Sequence, residues 1–69
     1  MPIYMADLHT DYVIREITGT DKVKAHLSNL GFIPGETITL VSRVDDNVIV
    51  KIKGVSLAIS DVLAKRILV

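Results

Sequence analysis

The 69 residues of this chain suffice for one domain with one core, and a chain of that size buries only about 60% of the surface it exposes when unfolded. It has no cysteine, which excludes disulfides and thiolate-bound metals, so folding rests on apolar packing, to which 49% of the residues are suited. Eight basic residues offset eight acidic ones, which removes the basic excess that non-specific nucleic-acid binding needs.

Charge is only mildly uneven along the chain. Residues 1–36 carry three basic and five acidic groups, and residues 37–69 the reverse. No direct nucleic-acid contact is expected from that pattern. The longest run without a formal charge, Ala25–Gly35, has eleven residues. A membrane-spanning helix needs about 20. Met1–Leu8 lacks a basic start and a long apolar stretch, so it does not read as a signal peptide. The expectation is a single cytoplasmic domain over residues 1–69, without membrane insertion.

Tyr12–Ile17 is rich in apolar and β-branched residues and reads as a first strand, ended by Thr18-Gly19-Thr20. Thr20 or Asp21 is placed to cap a helix, and Asp21 suits its N-terminal dipole. Val23, Leu27 and Leu30 recur at i, i+4 and i+7, one face of that helix. Leu30 and Phe32 are expected in the core. Gly31 stands where a chain leaves a helix in a left-handed conformation. Pro34-Gly35 fits the centre of a type II turn.

Thr37–Arg43 follows as a strand, with Ile38 and Leu40 on one face and Thr37, Thr39 and Val41 on the other. Asp45-Asp46-Asn47 reads as a hairpin turn. In Val48–Lys53 the residues Val48, Val50 and Ile52 share one face, while Ile49, Lys51 and Lys53 share the other. Gly54-Val55 is the next turn and Ser56–Ile59 a short strand. Ser60 is a good N-cap for one helical turn, with Asp61 near its start and Lys65 and Arg66 near its end. Ile67-Leu68-Val69 is expected to close the sheet. The sum is a mainly β fold: a small SH3-like barrel of about five short strands, one helix inserted after the first, and a C-terminal helical turn. Closure would remove bare sheet edges.

Catalytic patterns are absent. The four glycines are isolated turn residues, and no serine sits in a nucleophile elbow. His9 and His26 are far apart in sequence, and two histidines alone do not make a metal site. Asp45 and Asp46 are read as turn formers, and Lys51 and Lys53 as a solvated strand face.

Two longer patterns carry a resemblance. The first is Leu27-Ser28-Asn29-Leu30-Gly31-Phe32-Ile33-Pro34-Gly35-Glu36-Thr37-Ile38. The second is Val50-Lys51-Ile52-Lys53-Gly54-Val55-Ser56-Leu57-Ala58-Ile59-Ser60, followed by Ala64-Lys65-Arg66-Ile67-Leu68-Val69. Together they resemble the FeoA family, small cytoplasmic proteins of bacterial ferrous iron transport. The chain departs from the family at Leu8-His9-Thr10-Asp11, where many members have Leu-x-Pro-Gly. It also has Ala25 and His26 where helix arginines are common, and a shorter hairpin at Asp45-Asp46-Asn47.

The resemblance implies an SH3-like fold, no enzymatic activity, no cofactor and a role beside FeoB, the membrane permease that carries a cytoplasmic GTPase domain. Family descriptions also mention transition-metal binding, for which this sequence offers no ligand cluster. Val23, Lys24, Leu27 and Ile33 are the expected partner surface. Gly31, Pro34, Gly35 and Gly54 are expected to serve turn geometry. The competing reading is an SH3-like module working with an iron-dependent transcriptional repressor. A small enzyme or metal carrier is disfavoured by the missing ligands. The sequence does not set the oligomeric state, though an exposed first or last strand is an edge on which copies could pair.

Overall fold

The computed structural model describes all residues from 1 to 69. A 3-10 turn at Ile3–Met5 precedes β1 (Asp11–Val13), β2 (Glu16–Ile17) and helix α1 (Asp21–Asn29). Strands β3 (Thr37–Val44), β4 (Asn47–Ile52) and β5 (Val55–Ser60) follow, then helix α2 (Asp61–Ala64) and β6 (Ile67–Leu68). The strands form two antiparallel sheets. One runs β1-β3-β4-β5 and the other pairs β2 with β6.

Neither sheet closes on itself, so the expected closed barrel is corrected to two separate sheets. The expected first strand is also divided in two. Its switch point is Ile14, which is buried and held by the turn across from it. The Ile14 N–H donates to the Glu36 carbonyl at 2.9 Å, and the Ile14 carbonyl accepts from the Gly35 N–H at 2.8 Å. One residue later the Arg15 N–H donates to the Leu68 carbonyl at 2.8 Å. The chain has thus left β3 for β6. Accordingly β6 closes onto β2 rather than onto the larger sheet. Its other side meets Pro2, and the Val69 N–H donates to the Met1 carbonyl at 2.7 Å.

The helix boundaries follow from local chemistry. Thr20 is the N-cap of α1, its hydroxyl accepting from the Val23 N–H at 3.2 Å. At the other end the Gly31 N–H donates to Ser28 O at 2.9 Å and the Phe32 N–H to Leu27 O at 3.0 Å. That pair of bonds is a Schellman motif, with Gly31 at φ +102° supplying the reversal. Its apolar clasp joins Leu27 to Phe32, both fully buried. Leu30 precedes the reversal and points away, 39% exposed. The expectation that it joins the core is therefore corrected, because Phe32 takes that place. The Glu36 N–H then donates to Ile33 O across Pro34-Gly35 at 3.1 Å, with Gly35 at φ +94°, as a type II turn requires.

The first hairpin is tighter than expected, and the second is displaced by one residue. Val44 pairs with Asn47, so Asp45-Asp46 is the loop and Asn47 already belongs to β4. Ile52 pairs with Val55, so the second loop is Lys53-Gly54 rather than Gly54-Val55. Both of its residues are left-handed, at φ 51° and 76°, which makes a type I′ turn. Ser60 caps α2, its hydroxyl accepting from the Leu63 N–H at 3.3 Å.

The core is a single cluster of thirteen residues, all apolar, so no buried polar group is left for internal chemistry. Ile38 and Leu40 of β3 meet Val48, Val50 and Ile52 of β4 there, with a bulge between Leu40 and Ser42 bending the long strand. Arg43 fastens the N-terminal turn to this sheet. Its guanidinium donates to Tyr4 O at 2.9 and 3.1 Å and to Ala6 O at 2.9 Å.

Candidate functional site

A groove of about 530 Å³ runs between α1, the start of β2 and the Ile33–Glu36 turn. The switch at Ile14 places Arg15, Glu16 and Ile17 along one wall. Helix α1 supplies Lys24 and Ser28, one turn apart on the same face. Ile33 and Pro34 form the end, where the turn projects, and Phe32 lies beneath. Ile33 is 39% exposed although large and apolar. The single salt bridge of the molecule joins Lys53 to Glu36 at 3.7 Å, so Arg15, Glu16 and Lys24 meet no oppositely charged side chain. The groove therefore offers two unpaired cations and one unpaired carboxylate, a net positive charge, beside apolar surface. That chemistry suits a protein segment carrying carboxylates and an apolar anchor.

Of the four residues expected at the partner surface, the fold brings Lys24 and Ile33 together here. Leu27 is fully buried against the core and leaves no side-chain surface for a partner, which corrects its place in that set. The reason is the helix pitch: Val23 and Leu27 occupy the inward face, and Lys24 and Ser28 the adjacent one. Val23 is half-buried and packs on the core outside the groove. Sequence reasoning missed Arg15. Its signal was a lone basic residue within an otherwise apolar, β-branched run.

The outer face of the four-stranded sheet holds a second, more polar hollow that includes His9, Asp11, Glu36, Lys51 and Lys53. Its groups already engage one another: Thr39 Oγ1 donates to Asp11 Oδ1 at 2.6 Å, and Lys53 pairs with Glu36. His26 is exposed on α1. No three histidine or carboxylate side chains converge in the structure as metal ligands. No helix is long and apolar enough to cross a membrane.

The FeoA domain model matches residues 1–69 of this chain. The chain belongs to the FeoA family. That family comprises accessory proteins of ferrous iron transport and is not a known family of enzymes. Among solved structures, an iron uptake regulatory protein, FeoA, is 25% identical, with a TM-score of 0.88 over 97% of this chain and 91% of that one. The FeoA of Stenotrophomonas maltophilia, solved in complex with zinc and described as a prokaryotic SH3 domain protein, is 24% identical. Its TM-score is 0.83, over 99% of this chain and 87% of that one. A manganese-dependent transcriptional repressor is 10% identical, yet has a TM-score of 0.86 over 97% of this chain and 39% of its own. The same fold thus recurs as part of a larger protein. No curated protein sequence gives a significant match. These likenesses support an SH3-like arrangement of strands, here in two sheets.

Proposed function

We propose that this FeoA-family protein acts in the cytoplasm as an accessory factor of ferrous iron uptake, by docking on the cytoplasmic GTPase portion of a FeoB-type permease through the α1–β2 groove. The family places it in iron transport. The observation that carries the docking reading is the groove itself, where unpaired Arg15 and Lys24 outweigh the single carboxylate of Glu16 beside exposed Ile33. Such a surface needs an acidic and apolar counterpart, and the core has no room for chemistry of its own.

Binding of the isolated GTPase domain, titrated in nucleotide-free, GDP-bound and GTP-bound states, tests the proposal. Saturable binding in at least one state is expected. It should weaken at least about tenfold in Lys24→Glu and in Ile33→Asp, a loss of about 1.4 kcal/mol each. Absence of binding in every state overturns the reading, as does full binding by both variants. The competing role beside an iron-dependent repressor draws support from the fold shared with the manganese-dependent repressor. Likeness at 10% identity speaks for fold alone. A neighbouring winged-helix gene in place of a permease gene would favour it.

A further inference from the structure

Strand β5 is an edge of the four-stranded sheet and lacks the usual protection of an edge. Its six residues, Val55–Ser60, contain no charge and no proline, and its pairing with β4 is regular along the whole length without a bulge. Natural edge strands are normally blunted by one of those devices. The two-residue Lys53-Gly54 turn makes Ile52 and Val55 the closing hydrogen-bonded pair. In an antiparallel ladder the bonded residues alternate. Val55, Leu57 and Ile59 therefore bond to β4, while Ser56 and Ala58 direct N–H and C=O away from it. No backbone hydrogen bond outside the sheet ladder involves residues 55–60. Ser56 and Ala58 are exposed and small, so a second strand can approach without obstruction.

Charge at the ends of β5 decides what fits. Lys53 precedes the strand, and Asp61 follows it with its N–H bonded to Asp46 O at 2.8 Å, beside Asp45. One end of the edge carries Lys53, whose side chain pairs with Glu36 at 3.7 Å but stays 57% exposed, and the other end is acidic. An antiparallel copy of the same strand meets both with the opposite sign.

We propose that β5 is a self-association edge, on which a second copy of this chain pairs antiparallel about Leu57. Ser56 of each copy then exchanges both backbone hydrogen bonds with Ala58 of the other, and Lys53 faces Asp61 across the two-fold axis. Two four-stranded sheets become one of eight strands. The first and last strands, the edges on which pairing could be sought from sequence, are poorer ones. The first, β1, has only three residues, and the last, β6, is flanked by β2 and Pro2. The β5 edge shares no residue with the α1–β2 groove, so this proposal stands apart from the docking reading.

Sedimentation of the full chain from about 10 µM to 1 mM, with amide hydrogen exchange at both extremes, tests it. The mass is expected to rise from one copy toward two, and the Ser56 and Ala58 amides to gain protection as it rises. Ala58→Pro removes the outward N–H at a position where an edge strand tolerates proline. Ala58→Lys keeps that N–H and adds a charge to the edge. Either variant that retains the native circular dichroism should sediment as one copy throughout. Lys53→Glu should weaken association about tenfold, and adding Asp61→Lys should restore it. A mass of one copy across the whole range overturns the proposal. So does a dimer that folded Ala58→Pro and Ala58→Lys leave intact, or protection of these amides only when the permease domain is added.

Discussion

Leu27 and Lys24 stand three residues apart on α1, yet they belong to different parts of the molecule. Leu27 is sealed into the core beside Phe32, whereas Lys24 stands over the groove and forms no ion pair. The turn that follows the helix divides its residues in the same way. Phe32 folds inward to clasp Leu27, and Ile33 projects outward beside Lys24. The run from Val23 to Thr37 that carries the family resemblance therefore contains two interleaved sets, one for folding and one for contact. Substitutions that separate the sets are the way to test that division.

The largest effect is expected at Leu27. In a core of thirteen apolar residues, Leu27→Ala leaves a cavity worth about 2–5 kcal/mol. That approaches the whole stability of a small domain, about 5 kcal/mol. Leu27→Asp adds an unpaired buried charge and should abolish the cooperative urea transition altogether. Partner binding would then vanish with the fold, so this variant reports on the core and not on the docking surface. A folded Leu27→Asp protein that loses only binding would break the comparison.

The inward set was largely legible in the sequence and the outward set only in part. Spacing of Val23, Leu27 and Phe32 about Gly31 is a local signal, since helix pitch and the left-handed stop are written within ten residues. Alternation in β4 made Val48, Val50 and Ile52 equally plain. The split at Ile14 was not legible. It is fixed by two hydrogen bonds to residues 35 and 36, and nothing near Ile14 in sequence announces them. Arg15 was missed for that reason, because its place across the groove from Lys24 depends on the switch between sheets. Leu30 misled because periodicity continues one step beyond the point where the Schellman reversal redirects the chain. The cost of open edges favours closure of the barrel. The β5 edge remains open instead.

Intermediate effects are expected at the helix ends, which hold the two sets in phase. Gly31→Ala has space around the added methyl but a backbone at φ +102°, so the cost is conformational, about 1–2 kcal/mol. Thr20→Ala removes the oxygen that accepts from the Val23 N–H and should cost about 1 kcal/mol. Chemical denaturation of both variants measures these losses. If Gly31→Ala also lowers partner affinity while still fully folded, the Schellman turn positions Ile33 for contact as well as closing the helix.

The smallest effect on stability, and the most discriminating, is expected for Lys24→Glu. The side chain is exposed and forms no ion pair, so its reversal should change unfolding free energy by less than about 0.5 kcal/mol. A docking surface that steers an acidic partner responds differently. Reversal of a rim charge acts chiefly on the association rate, and salt screens it. The wild-type association rate should therefore fall with rising ionic strength, and the Lys24→Glu rate should be lower and less sensitive to salt. Arg15→Glu lies on the opposite wall of the groove and should reproduce that behaviour if one partner segment lies between them. A Lys24→Glu protein with unchanged rates would take Lys24 out of the contact set and leave the groove's contact to Ile33 and Arg15.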